Sequence, residues 1–190
     1  MRVIAGKYKG RKLEAPLDMS VRPTTDKVRE AVFDILMNDV SGAVFCDLFA
    51  GSGAMGIEAL SRGASKCILC DSDRVSIRLI RTNLRICGAG DEAVVMTGDF
   101  RKCLRRIKEK VDIFYVDPPY DAGLYAASLS QIEILDLLSD DGIIIAEHDS
   151  RTEVPESTDY LEKVKDHRYG KTTVTVYRKK AEDTEPQQME

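Results

Sequence analysis

A chain of 190 residues, 43% hydrophobic and 32% charged, is long enough for one well-filled core and has the make-up of an ordinary globular domain. No apolar run approaches the ~18 residues of a membrane span, and the basic N-terminus lacks the apolar stretch of a secretory signal, so a cytoplasmic setting is expected. Five cysteines, an odd number, read as reduced buried thiols; the single CxxC, Cys67 and Cys70, falls on a strand that turns the two thiols to opposite faces, and no metal site is expected.

The net charge of −4 hides an asymmetry. Residues 1–29 carry eight basic side chains against Glu14, Asp18 and Asp26, a net +5, which leaves −9 on the rest. A basic arm on an acidic body points to a polyanion partner at one face. Two short strand-like pieces flank Gly6 to Gly10, predicting a hairpin or loose ribbon that ends at Pro16. Lys7, Lys9, Arg11, Lys12, Arg22 and Arg29 are the candidate phosphate contacts, with Tyr8 as a stacking contact. A helix follows, capped by Thr24 or Thr25, with Val28, Ala31, Val32, Ile35 and Leu36 on one apolar face.

From Ala43 strands and helices alternate. Strands are predicted at 43–48, 66–70, 93–96, 111–116 and 142–147, with helices to about Arg62, over 74–87, after Phe100 and around 126–138. The helix after Asp73 should turn Val75, Leu79, Ile80 and Leu84 inward and stop at Gly88. Two strand-like runs, 160–166 and 172–178, form an antiparallel hairpin around Gly170. The fold class is therefore α/β, a Rossmann-like and mostly parallel seven-stranded sheet with an antiparallel C-terminal hairpin and a small N-terminal β-hairpin extension. Residues 1–20 read as the arm, 21–180 as the body, and 181–190 as an acidic, disordered tail.

The chemistry sits where the parallel strands end, which is where ligands bind in open α/β sheets. The first strand runs into Phe49-Ala50-Gly51-Ser52-Gly53-Ala54-Met55-Gly56, a glycine turn that lets backbone approach a ligand at a helix N-terminus. Asp71, followed by Ser72, ends the second strand and is placed to accept from ribose hydroxyls. This much fits a nicotinamide dinucleotide or S-adenosylmethionine. Asp47 favours the latter, because an anion there is unhelpful beside a pyrophosphate but suits a cationic amino-acid end. Asp99 is placed to accept from an adenine amino group, with Phe100 beside the ring. The fourth strand stops at Asp117-Pro118-Pro119-Tyr120: an acid, two carbonyls with no N–H beside them, and an aromatic ring. That set holds a planar amino group while a methyl group is transferred to it.

Asp47-Leu-Phe-Ala-Gly-Ser-Gly53, Asp71, Gly98-Asp99-Phe100 and Asp117-Pro-Pro-Tyr120 resemble motifs I to IV of class I S-adenosylmethionine-dependent amino-methyltransferases. Arg2 to Leu13, Arg22 to Arg29 and Gly51 to Gly63 are similar to the RsmD family, and the likeness runs to about residue 178. It implies methylation of N2 of one guanine in bacterial 16S ribosomal RNA, with the RNA presented in a small ribosomal subunit or an assembly intermediate, by a monomer that uses S-adenosylmethionine and no metal. The site residues alone leave other readings open: the same chemistry on adenine N6 or a protein glutamine amide, a non-catalytic ribosome-assembly factor, or a dehydrogenase.

Overall fold

The structure is a computed structural model, and it describes residues 1–16, 25–119 and 122–181. Arg22, Thr24, Tyr120 and residues 182–190, all named above, lie outside the described residues. The elements are α1 (Asp26–Leu36), β1 (Val44–Asp47), α2 (Ala54–Ser61), β2 (Lys66–Asp71), α3 (Arg74–Cys87), β3 (Ala93–Thr97), α4 (Phe100–Leu104), β4 (Val111–Val116), α5 (Ala122–Ile134), β5 (Leu138–Asp149), β6 (Leu161–Tyr169) and β7 (Thr172–Lys179), with a short 3-10 turn at Met37–Val40.

The seven strands lie in the order β3-β2-β1-β4-β5-β7-β6. The first five run parallel, and β7 pairs antiparallel with both β5 and β6. From β1 the chain steps outward to β2 and β3, then returns to the other side for β4 and β5. Strand order therefore reverses between β1 and β4, and the crevice above their carboxyl ends is the natural ligand site.

Each central strand is apolar on both faces, so each face is covered by helices. Phe45, Cys67, Leu69, Ile113, Tyr115 and Ile145 pack with α1, α2, α3 and the N-terminal arm. Cys46, Ile68, Cys70, Phe114, Val116 and Ile144 pack with α4 and α5. Cys67 and Cys70 thus fall on opposite sides of the sheet, as period two along a strand requires. The edge strand β6 is guarded by exposed Glu162, Lys165, Asp166 and Arg168 and by an irregularity in its pairing between Lys163 and Lys165.

Helix faces differ in detail from the sequence expectation. Thr25 caps α1, accepting from the Val28 N–H at 3.3 Å, but Arg29 and Phe33 turn inward with Val28, Val32 and Leu36, while Ala31 and Ile35 are only half-buried. On α3, Val75 is 58% exposed, because it sits in the first turn beside the cap Asp73; Asn83 and Cys87 are inward instead. Helix α5 and strand β5 both begin four residues before the predicted positions. Between them Asp136 adopts φ 47°, a left-handed conformation that Asp tolerates better than most residues, and so reverses the chain within a few residues.

The arm is an antiparallel ribbon with an Arg2–Lys12 bridge, and it is not a free appendage. Val3, Tyr8 and Leu13 lie in the main core. The buried Glu58 carboxylate on α2 accepts from the Ile4 and Ala5 N–H groups at 2.8 and 3.0 Å. Lys7 N–H reaches the Ser61 carbonyl at 2.8 Å, past Gly6, where an added Cβ would lie 1.7 Å from that same oxygen.

Candidate active site

A cleft of about 1130 Å³ opens above the carboxyl ends of β1, β2, β4 and β5. One half of it is built on the turn after β1. Ala50 N–H bonds the Cys70 carbonyl at 2.8 Å, Gly51 N–H bonds Asp71 Oδ2 at 2.8 Å, and Gly53, at φ 79°, caps α2. Gly56 lets α2 lie close on β2; a Cβ there would stand 2.4 Å from Cys67 Sγ. The glycine spacing thus serves the turn at one end and helix–sheet contact at the other.

Asp47 is 1% exposed and accepts from the Phe49 N–H at 3.3 Å. Burial pushes its carboxyl up to about 8, with Asp71 and Glu147 adding to the effect. Asp71 also accepts from the Asp73 N–H at 2.8 Å, and burial raises its carboxyl against the pull of these main-chain bonds. Asp99 caps α4 by accepting from the Arg101 N–H at 2.9 Å. The Phe49 and Phe100 rings lie 5.5 Å apart, and the Arg101 guanidinium covers Phe100 at 4.5 Å. Ala50, Ser52 and Ser72 line the same cleft, as do Met1 and Pro16 of the arm.

Asp117 and Pro118 follow β4 in the other half of the cleft, Pro118 buried and Pro119 exposed. Burial, then the nearby Glu147 and Asp47 carboxylates, raise the Asp117 carboxyl well above the usual range. Sequence reasoning missed the groups around it. Glu147, 8% exposed, takes a short hydrogen bond from the Tyr115 hydroxyl, while the Tyr125 hydroxyl donates to the Glu147 carbonyl at 2.7 Å. His148 Nε2 meets Thr175 Oγ1 at 2.8 Å, and that hydroxyl donates to Asp166 at 2.6 Å. A signal existed: Glu147-His148-Asp149 is a polar triplet that follows the apolar run Ile143–Ala146 where β5 pairs parallel with β4.

The candidate phosphate contacts divide. Lys7, Lys9, Arg11 and Lys12 are all exposed on the arm, with Lys7 3.3 Å from Glu92 and Arg11 bonded to the Ile86 carbonyl at 2.6 Å. Arg29 does not belong with them. It is fully buried, 2.8 Å from Asp26 and 2.7 Å from the Arg2 carbonyl, because it sits on the inward face of α1 and fastens the arm. Tyr8 is likewise withdrawn as a stacking platform: its ring is buried beneath Lys7 and Arg11, and its hydroxyl bonds Glu92 at 3.2 Å.

The family model described as conserved hypothetical protein 95 matches residues 1–178. Ribosomal RNA small subunit methyltransferase D of Escherichia coli (strain K12) is 36% identical over 155 residues, which cover 82% of this chain and 78% of that one. The chain belongs to the RsmD family. Other similar proteins span it more fully. YlbH of Bacillus subtilis (strain 168) is 40% identical over 183 residues, 95% of this chain and all of its own. The solved structure of yhhF from Escherichia coli superposes with a TM-score of 0.84 at 31% identity, covering 95% of this chain and 98% of that one. The RsmD likeness thus includes the arm, both halves of the cleft and the C-terminal hairpin.

Proposed function

We propose that this protein transfers a methyl group from S-adenosylmethionine to the exocyclic N2 of a guanine in 16S ribosomal RNA, within a small subunit or an assembly intermediate. One juxtaposition carries the reading: Asp117-Pro118 opens into the same cleft as Asp47, the glycine turn, Asp71 and Asp99. The relative named a small-subunit ribosomal RNA methyltransferase supports the RNA part.

The donor half fits the proposed cofactor in its chemistry. Asp47 is a buried carboxylate that a cationic group would relieve, Asp71 retains lone pairs for ribose hydroxyls, and Asp99 stands beside Phe100 for an adenine amine. When bound, S-adenosylmethionine supplies a methyl group on a positively charged sulfur. The protein's own part is orientation. A guanine amine is a weak nucleophile because its lone pair is delocalised into the ring. Asp117 accepts one N–H and the Pro118 carbonyl the other, which frees the lone pair to point at the methyl group and stabilises the positive charge that grows on nitrogen. Tyr120 stacks on the base, a contact of about 1–3 kcal/mol that offsets much of the cost of extruding it. Lys7, Lys9, Arg11, Lys12 and Arg22 hold phosphates.

Labelled methyl transfer to deproteinised 16S RNA, assembled small subunits, DNA and protein, followed by nucleoside analysis, tests this. N2-methylguanosine is expected from an RNA form, and Asp117→Ala is expected to abolish it while cofactor binding persists by calorimetry. Its absence with every RNA form overturns the reading.

A further inference from the structure

The proposed reaction needs a reason to choose guanine over adenine, and Asp117 with its proline carbonyl supplies none, since either base offers an amine. A second acid stands next to it. Strands β4 and β5 are parallel neighbours with Val116 opposite Ala146, so the next residues, Asp117 just past β4 and Glu147 still within β5, stand side by side. By period two both continue the face of Tyr115 and Ile145, the face that also carries Asp47, paired with Tyr115 across β1 and β4. Both line the cleft. Glu147 is not loosely placed. The Tyr115 hydroxyl donates to one carboxylate oxygen and the Tyr125 hydroxyl to its main-chain carbonyl.

Two carboxylates set side by side and mostly out of water repel each other. A ligand that relieves them presents two hydrogen-bond donors at adjacent positions. The Watson–Crick edge of guanine does this, with N1–H beside the N2 amine. Adenine places an unprotonated N1 beside its N6 amine, and that lone pair would face a carboxylate oxygen.

We infer that Glu147 is the guanine-specificity residue, accepting the N1–H of the target base while Asp117 accepts from the amine being methylated, with Tyr115 as the positioning residue for Glu147. The inference rests on the methyltransferase reading above and deepens it.

The test replaces one atom pattern on the base. 2-Aminopurine keeps the amine at position 2 but has a bare N1. Small-subunit RNA is assembled with a synthetic fragment bearing guanosine, 2-aminopurine riboside or adenosine at the modified position, and kcat/KM is measured for the wild type, Glu147→Gln and Tyr115→Phe. For the wild type, 2-aminopurine is expected to be slower than guanosine by about 10- to 100-fold, the worth of one discriminating base contact. In Glu147→Gln the amide can donate to a bare N1, so guanosine slows by about 10-fold and the 2-aminopurine penalty shrinks to within about 3-fold. Tyr115→Phe keeps the core volume and shrinks the same penalty by a smaller factor, so the assignment stays testable if the Gln variant folds poorly. An unchanged penalty in both variants overturns the assignment alone, leaving the enzyme a guanine methyltransferase. A wild type that methylates the adenosine substrate and not guanosine overturns the assignment and the proposed function together.

Discussion

Asp47 shows how one side chain couples folding, ligand and proton. In the folded protein it holds its proton to about pH 8, whereas the unfolded chain releases it near 3.8. The native state therefore binds the extra proton between those values, and the stability this group confers is lost as pH rises from about 4 to about 8. A cationic ligand beside it reverses the preference and favours the carboxylate. Binding of S-adenosylmethionine is accordingly expected to release close to one proton at pH 7 and to tighten as pH rises towards 8, by at most about tenfold per pH unit, then level off. Titration calorimetry in buffers of different ionisation heat counts that proton; a count of zero at pH 7 removes Asp47 from the cofactor site. Asp47→Asn is expected to flatten the pH dependence.

Among the elements, the arm departs most from its appearance in the sequence. Its cations, glycines and proline advertise a solvated ribbon, and nothing local announces that Val3, Tyr8 and Leu13 enter the main core. Burial of side chains of this kind is worth about 1.5–3 kcal/mol each, enough to hold a short ribbon in place. Gly6 is the contact point, with φ 77° and no room for a methyl group against the Ser61 carbonyl. Gly6→Ala is expected to cost about 2–4 kcal/mol through strain and displacement, lowering Tm by roughly 5–12 °C and exposing the Lys7 and Tyr8 amides to hydrogen exchange. Unchanged exchange at those amides would show that the arm docks by another route. The parallel sheet, by contrast, was legible almost strand by strand, because apolar runs of four to six residues ended by an acid or by Gly leave little choice. The strand-end acids Asp47, Asp71, Asp99 and Asp117 were legible for the same reason. Arg29 and Asn83 were not: helix-face counting treats a polar side chain as outward, and their burial is decided by partners distant in sequence, Arg2 and Glu58 for one and Glu14 and Ser52 for the other.

On the scale of the whole molecule, the charge is sorted: the arm's exposed cations, Arg2, Lys7, Lys9, Arg11 and Lys12, project from a body whose net charge is negative. If they hold phosphates, replacing Lys7, Lys9, Arg11 and Lys12 together by Ala should weaken RNA binding and reduce the slope of log affinity against log salt by about 3 to 4, a little under one for each of the four contacts. An unchanged slope, measured by filter binding across a salt series, assigns those cations to solvent. Deleting the arm outright would be a poor substitute for that experiment. Asn83, completely buried on α3, bonds the Glu14 carbonyl and the Ser52 carbonyl through one amide nitrogen, at 3.0 and 2.9 Å, and takes the Glu14 N–H at 2.8 Å. The arm and the glycine turn are therefore tied to a single amide group. A truncated protein loses Met1 and Pro16, a wall of the cleft, along with its cations, so a failure to methylate would say nothing about which was needed. If the arm holds RNA and the turn holds the cofactor as proposed, that shared amide couples the two: RNA on the arm is expected to stiffen the turn, and a filled turn to hold the arm in one pose for RNA, by the reciprocity that any such coupling obeys.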